Sequence, residues 1–368
     1  MLLSFIKSII SFIGFLVRPL FSKPEKSEKP ERIAILLWGG IGNYVLFSPA
    51  LYGIRERFPD AHLTLCSFQP SAQRIFFKTA DSFISIKGNP SLKTIMRLLF
   101  LVKGIKPDVV ISNAMSPTFV TSFIAFFSGA KVRIGMDRKY RGFLNNVRID
   151  EMKEHEVVKN IRIAKALSID IGEKPLRLDI TEADRRVAKK TFKSLFEKGE
   201  NRPIVIIQPG SGIRQSFKRW SKEKFKDLAE KLLMMGLRVV IAGTEEEEEE
   251  IRYIEKSIQH NRLRILKKRL TLSQLSLFLK NFDLIIANDT SLVHLGAISG
   301  VPSVVIYGPT NPEKNKPWGV LYRIVRKELS CSPCYNFHIP RCPYHLRCLR
   351  ELSVEQVVNA TLEMLKTV

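Results

Sequence analysis

Two stretches of the chain alternate short apolar runs with helical ones, and this alternation leaves few folds open. In the first stretch, strand-like runs at 33–38, 62–67, 108–112 and 131–135 are separated by helical patterns at 44–57, 91–102 and 117–127, the last strand closing the set. The pattern restarts after residue 200. Strand-like runs at 204–208, 238–242, 284–287 and 303–307 then alternate with helical ones at 222–235, 246–259, 272–280 and 292–299. Strands that return through helices build a mainly parallel sheet covered on both faces. The chain of 368 residues has room for two such units at roughly 150 residues each. We therefore read an α/β protein with two Rossmann-like domains, 32–180 and 181–352, a charged helical stretch at 182–198 between the halves, and a last amphipathic helix within 353–368. Strand ends facing each other across a central cleft are where ligands prefer to bind. No internal repeat is evident, and the only low-complexity piece is the six-Glu run at 245–250.

Residues 1–21 are the most apolar stretch. Arg18-Pro19-Leu20-Phe21 supplies no small-residue cleavage site of the kind a signal peptide needs. At about 100° per residue, Ser4, Lys7, Ser8, Ser11, Gly14 and Arg18 fall on one narrow stripe of a helix. Leu2, Phe5, Ile6, Ile9, Ile10, Phe12, Ile13, Leu16 and Val17 cover the rest. Such a helix suits the plane of a membrane surface, apolar face in the acyl boundary; the alternative is a helix packed on the protein's own core. Residues 22–31 read as a polar linker. Lys plus Arg exceed Asp plus Glu by 59 to 36, a formal charge of +23, which calls for an anionic partner: nucleic acid, anionic lipid or a phosphorylated substrate. Basic residues cluster at Arg133, Arg138, Lys139 and Arg141, and again at 185–193 and 262–269. No helix-turn-helix, zinc-finger or aromatic RNA-binding signature accompanies them, which argues against nucleic acid.

Three strand-to-helix loops carry the chemistry. Trp38-Gly39-Gly40-Ile41-Gly42-Asn43 opens a helix whose first amides favour anions, and its glycines admit close backbone approach. Its spacing fits neither a dinucleotide fingerprint nor a P-loop, so a plain tight turn is the competing reading. The second loop, 208–220, sets Arg214, Lys218 and Arg219 beside Gly210-Ser211-Gly212 and ends at Ser221, a good N-cap. It can cradle a diphosphate, or be a solvated basic loop anchored by Trp220. The third, Asn288-Asp289-Thr290-Ser291, begins a short helix with His294 three residues after Ser291. These residues serve either as N-caps or as a phosphate site. Tyr307-Gly308-Pro309-Thr310 ends the next strand at the same rim.

Cys331, Cys334, Cys342 and Cys348 lie within 18 residues, with His338 and His345 among them. They can hold a structural zinc or remain free or paired thiols; the second pair is spaced more loosely than in a zinc ribbon. There is no Gly-x-Ser-x-Gly elbow, no His-Glu-x-x-His and no Asp-x-Asp pair. A bound diphosphate would then be neutralised by helix dipoles and cations, and no Mg²⁺ or other cofactor is implied.

In this order the loops resemble glycosyltransferase family 9, the ADP-heptose:lipopolysaccharide heptosyltransferases, over about residues 32–360. The matching segments are Gly-Gly-Ile-Gly-Asn-x5-Pro (39–49), Arg-Ile-Gly (133–135), Pro-Gly-Ser-x6-Lys-Arg-Trp (209–220), Asn-Asp-Thr-x3-His-Leu (288–295) and Gly-Pro-Thr (308–310). The Cys-Ser-Pro-Cys segment is similar to the heptosyltransferase II branch. The resemblance implies a GT-B fold and inverting transfer of a heptose from a nucleotide sugar, ADP-heptose, to a lipid A-core acceptor at the cytoplasmic face of the inner membrane. It implies donor contacts from Gly40, Gly42, Gly210, Ser211, Lys218, Asp289, Thr290, Ser291, His294 and Gly308, with Glu246 or Glu247 on the ribose. The bland reading of those glutamates is a solvated acidic helix start. One position departs from the family. Asn43 stands where the family's general base is an Asp, and a carboxamide cannot take the proton. Asp137 and His155 are the alternative bases, unless water deprotonates late or the chain binds donor without turnover.

Overall fold

The computed structural model describes residues 2–21, 29–68, 70–88, 90–172, 174–196, 202–334 and 342–367, without the side chains of 2–5, 213 and 214. Most of the expected linker, 22–28, lies outside the described residues. The chain divides into two compact units, Met1–Asp179 and Ile180–Val368.

The first unit runs α1 (Leu2–Val17), β1 (Arg32–Leu37), α2 (Ile41–Arg57), β2 (His62–Ser67), α3 (Ser71–Ile75), β3 (Ser82–Ser85) and α4 (Leu92–Ile105). It continues with β4 (Val109–Ser112), α5 (Thr118–Phe127), β5 (Val132–Asp137), β6 (Val147–Asp150) and α6 (Glu156–Lys165). All six strands are parallel, in the order β3-β2-β1-β4-β5-β6. The sheet therefore does not close at 131–135 as expected: β6 pairs beyond β5, and β3 adds the other edge. Ile33 through Leu37 are buried, as a central strand covered on both faces requires.

The second unit runs α7 (Glu182–Lys193), β7 (Ile204–Gln208), α8 (Lys222–Met234), β8 (Arg238–Ile241), α9 (Glu248–Ser257), β9 (Leu263–Ile265) and α10 (Leu272–Leu279). Then follow β10 (Leu284–Asn288), α11 (Ser291–Ile298), β11 (Ser303–Ile306), α12 (Pro312–Asn315), β12 (Tyr322–Val325), α13 (Arg347–Arg350) and α14 (Val354–Thr367). Its parallel order is β12-β11-β10-β7-β8-β9. The charged stretch expected to bridge the halves is α7, which packs on α10 of this unit, Gln274 donating to Asp184 at 3.1 Å. The expected helix 246–259 starts instead as a 3-10 turn, Glu245–Glu247, before α9.

In each sheet the chain moves to one side of the first strand and later returns to its other side, between β1 and β4 and between β7 and β10. Loops at the carboxyl ends of such neighbouring strands form the crevice where α/β proteins bind ligands. The expected loops at 38–43, 208–220 and 288–291 leave β1, β7 and β10.

The N-terminal helix meets the body of the first unit at Gly14, on its polar stripe, where Tyr140 and the buried Phe143 lie against it. A Cβ on Gly14 would lie 2.1 Å from the Tyr140 carbonyl oxygen, so the polar stripe is the side that meets the body. Arg18 stands 4.0 Å from Asp137 and over the Tyr140 ring, while Phe21 meets Phe126 and Phe143. Phe12 and Leu16, and Leu20 of the following 3-10 turn, are exposed, while the Phe15 ring packs edge-on against Tyr140 at 5.3 Å. No described helix is long and apolar enough to cross a membrane.

Candidate active site

The donor-side loops of the second unit are tied together by side chains. Asn288, fully buried at the end of β10, accepts from the Trp220 amide at 3.1 Å and donates to the carbonyls of Gly210 (2.9 Å) and Pro209 (3.3 Å). It thus fastens both ends of the second loop to the central strand. Trp220 is buried and donates its indole N–H to the Leu352 carbonyl, so it is the packing anchor of that loop. Ser211 donates to the Gln215 carbonyl at 2.8 Å, closing the turn from within. Ser221 caps α8 by accepting from the Lys224 amide.

Lys218 and Asp289 form a buried ion pair, Nζ to Oδ2 at 2.9 Å. The other Asp289 oxygen accepts from Asn315 at 2.8 Å. Low dielectric makes such a pair strong, and costly to break from one side. The nearby phenol of Tyr307 is held well above the usual tyrosine range by burial, with the Asp289 charge adding to it. Thr290 occupies the N-cap position of α11 but caps nothing: its hydroxyl donates to Gln208 at 2.7 Å. The helix that follows, with Ser291 at its start and His294 buried on its first turn, begins without a side-chain cap. By contrast α4, α7, α8 and α10 are capped by Ser91, Thr181, Ser221 and Thr271. Uncapped first-turn amides at the end of a central strand suit an anion.

The two candidate glutamates differ. Glu247 is buried, its Oε2 accepting from the Thr244 amide (2.7 Å) and hydroxyl (2.6 Å), with Gln208 donating to Oε1 at 3.4 Å. Its carboxylate is a capping group of the turn, not the solvated start of a helix, whereas Glu246 is exposed. A Cβ on Gly210 would lie 1.8 Å from Glu247 Cγ, so glycine there is required by the packing of the two loops. Gly308 is likewise filled from behind, a Cβ meeting Leu349 at 2.6 Å, and its carbonyl accepts from Ser332 at 2.7 Å. Arg219 pairs with Glu250 at 2.5 Å and donates to the Ser211 carbonyl; the Arg214 side chain lies outside the described residues.

In the first unit Asn113, at the end of β4, grips Trp38 from both sides, accepting from its amide and donating to its carbonyl, each at 3.0 Å. Gly39 has φ +101°, and a Cβ there would lie 2.3 Å from Asn43 Nδ2, so the Asn43 amide folds over it. Gly40, the N-cap of α2, offers no side chain to the helix start, and Gly42 follows within the first turn. Pro49 removes the amide that would bond the Val45 carbonyl, and Ser48 Oγ donates to that carbonyl instead, at 2.7 Å. The alternative bases fare unequally. His155 is the N-cap of α6, its Nδ1 accepting from the Val157 amide at 3.2 Å. A neutral ring spent this way carries its proton on Nε2 and has no lone pair left to act as a base. Asp137 is buried, Oδ1 accepting from Gly142 at 2.9 Å, while Oδ2 has no hydrogen bond.

The cysteines are all free thiols. Burial, then the neighbouring thiols, raise Cys334 and push Cys348 up to about 11. No three His, Cys, Asp or Glu among the described residues gather closely enough to hold a metal; His338 lies outside them.

Two α/β units, each a six-stranded parallel sheet with an uncapped helix at its switch point, have the fold of GT-B-type proteins. The sequence profile of glycosyltransferase family 9 (heptosyltransferase) matches residues 102–344, and the chain belongs to that family. It is 28% identical over 342 residues to lipooligosaccharide heptosyltransferase 2 of Campylobacter jejuni, covering 91% of this chain and 98% of that protein. It is 27% identical over 222 residues to lipopolysaccharide heptosyltransferase 2 of Escherichia coli K12, covering 57% of this chain and 62% of that protein. Among solved structures, a family 9 glycosyl transferase from Veillonella parvula aligns with TM-score 0.73 at 22% identity, covering 93% and 99% of the two chains. The E. coli ADP-heptose heptosyltransferase II aligns at 0.67 and 19%, covering 91% and 99%.

Proposed function

We propose that this enzyme transfers a heptose from ADP-heptose to a lipid-linked lipopolysaccharide core acceptor, with inversion at the anomeric carbon. The observation that carries the donor half is the Lys218–Asp289 pair beside the uncapped start of α11. Lys218 would turn from Asp289 to the diphosphate as negative charge grows on the leaving oxygen, and the α11 amides would share that charge. Asn315 keeps Asp289 oriented for the sugar hydroxyls. On the acceptor side Asn43 orients the attacking hydroxyl without accepting its proton. Of the two alternative bases, Asp137 retains an oxygen with no hydrogen bond, and His155 does not retain a usable nitrogen. The outward apolar face of α1 and the charge of +23 support peripheral attachment to an anionic membrane, at its cytoplasmic face.

The decisive experiment follows ADP release from ADP-heptose with and without a Kdo-lipid A acceptor. Acceptor-dependent release is expected. Donor binding with no release over a panel of acceptors would mark a binding protein and overturn the proposal.

A further inference from the structure

A cavity of the first unit lies under α1. It measures about 1000 Å³. One wall is the polar stripe of α1, which contributes Lys7, Ser8 and Ser11; Arg18 of the following 3-10 turn extends it. The other wall is the segment after β5, with Lys139, Tyr140 and Arg141. Lys139 and Tyr140 both take left-handed backbone (φ +53° and +62°), an uncommon conformation for such side chains. The turn is pinned by the bond from Gly142 to Asp137 Oδ1 and by the contact of Gly14 with the Tyr140 carbonyl. Three carboxylates, Asp137, Asp150 and Glu151, also line the space, and Glu151 is taken by Arg138 at 2.8 Å.

That mixture selects a ligand class. Four cations would bind phosphate or carboxylate groups. A simple anion, however, leaves the carboxylates without a purpose. Asp137 Oδ2 is buried, lines the cavity, has no hydrogen bond, and stands 4.0 Å from the nearest guanidinium nitrogen, that of Arg18. A buried carboxylate oxygen in that position calls for a donor, and a sugar hydroxyl supplies one. On the outer side of the same wall, Phe12, Leu16 and Leu20 are 65%, 58% and 80% exposed. One helix thus presents polar groups to the cavity and a bare apolar face away from it.

We infer that this cavity binds the anionic saccharide head of a lipid, with Lys7, Arg18, Lys139 and Arg141 on its phosphate or carboxylate groups, Asp137 on a sugar hydroxyl, and the acyl chains along the outer face of α1. The inference rests on the acceptor reading above and names the part of the chain that receives the acceptor's head. It makes α1 a wall of a binding site as well as an anchor.

The test measures equilibrium binding of the full chain to neutral-detergent micelles carrying a bisphosphorylated glucosamine disaccharide lipid, and to the same disaccharide stripped of its acyl chains. Lys7 and Lys139 are exposed, so the Lys7→Glu/Lys139→Glu double variant keeps the fold. It is expected to lose at least tenfold in affinity for both ligands. Phe12→Ser/Leu16→Ser should weaken only the acylated ligand. Wild-type affinity in the lysine variant overturns the inference, as does phosphatidylglycerol binding equally well with the same lysine dependence. A wild type that binds the glycolipid yet releases no ADP from ADP-heptose would overturn the proposed function and leave the cavity standing. Heptose transfer by the lysine variant at the wild-type rate and acceptor KM would overturn the cavity alone.

Discussion

Asn113 and Asn288 occupy matching places, each at the carboxyl end of the strand beside the first strand of its sheet, and each fastens the loop leaving that first strand. They differ in how much they hold. Asn288 bonds three backbone groups spread from Pro209 to Trp220, and around it Gln208–Thr290, Lys218–Asp289–Asn315 and Arg219–Glu250 close a network. Of the loop leaving β1, the Asn113 side chain holds only Trp38, its oxygen also accepting from the nearby Ser116 hydroxyl, and beyond Trp38 the loop holds itself through the Asn43 backbone N–H donating to the Gly40 carbonyl. A site for one small, invariant anion gains from being preorganised before the ligand arrives. A site for a large lipid-borne acceptor can spread its contacts over a wider surface, and the polar cavity under α1 is built that way.

The largest expected effect breaks this comparison at its most charged point. Lys218→Ala should lower heptose transfer by about 10²–10³-fold, the usual loss for a donor aimed at developing negative charge. Asn43→Ala should lower it less than about tenfold, since a carboxamide gives no general-base help to lose. Both are read from ADP release at saturating acceptor. Equal turnover by Lys218→Ala and wild type would remove that lysine from the chemistry.

The next effect is on stability. Asn288→Ala leaves three buried backbone groups unbonded and should cost about 3 kcal/mol, at roughly 1 kcal/mol for each lost bond. Asn113→Ala breaks three bonds as well, but two of them are to the backbone of the half-buried Trp38, where water replaces them in part, and it should cost about 2 kcal/mol on the same scale. Urea unfolding followed by tryptophan fluorescence resolves the difference, and the reverse order would show that the first loop is the more tightly held.

Much of this was legible in the sequence, and the exceptions share a cause. The central strands β1, β2, β7 and β10 are apolar runs because both faces are covered. The overlooked strands β3, β6, β9 and β12 are edge or near-edge segments of three or four residues such as Ser-Phe-Ile-Ser and Val-Arg-Ile-Asp. Too short for a period, they strand-pair because a neighbouring edge is already in place. The motif residues Lys218, Asp289 and Thr290 were readable as a site, but their partners were not. Asn315 lies 26 residues from Asp289 and Gln208 lies 82 from Thr290, and only the fold relates them. The amphipathic pattern of α1 was plain, whereas its docking through the polar side depends on Gly14 finding the Tyr140 carbonyl.

The smallest expected effect is the one that best separates the two loops. Gly210→Ala places a methyl group where the Glu247 side chain stands, 1.8 Å from Cγ, and Glu247 can yield only by abandoning its bonds to Thr244. Overpacking of this kind costs about 1–3 kcal/mol, and stability and turnover should fall together. Gly40→Ala meets nothing within 4 Å, and its φ of −91° is ordinary for alanine. Its stability should stay within about 0.5 kcal/mol of wild type. A loss of transfer in that variant at unchanged melting temperature would therefore be the signature of a ligand approaching the Gly40 backbone. Unchanged transfer would make the first loop a tight turn and shift the whole acceptor side toward the cavity under α1.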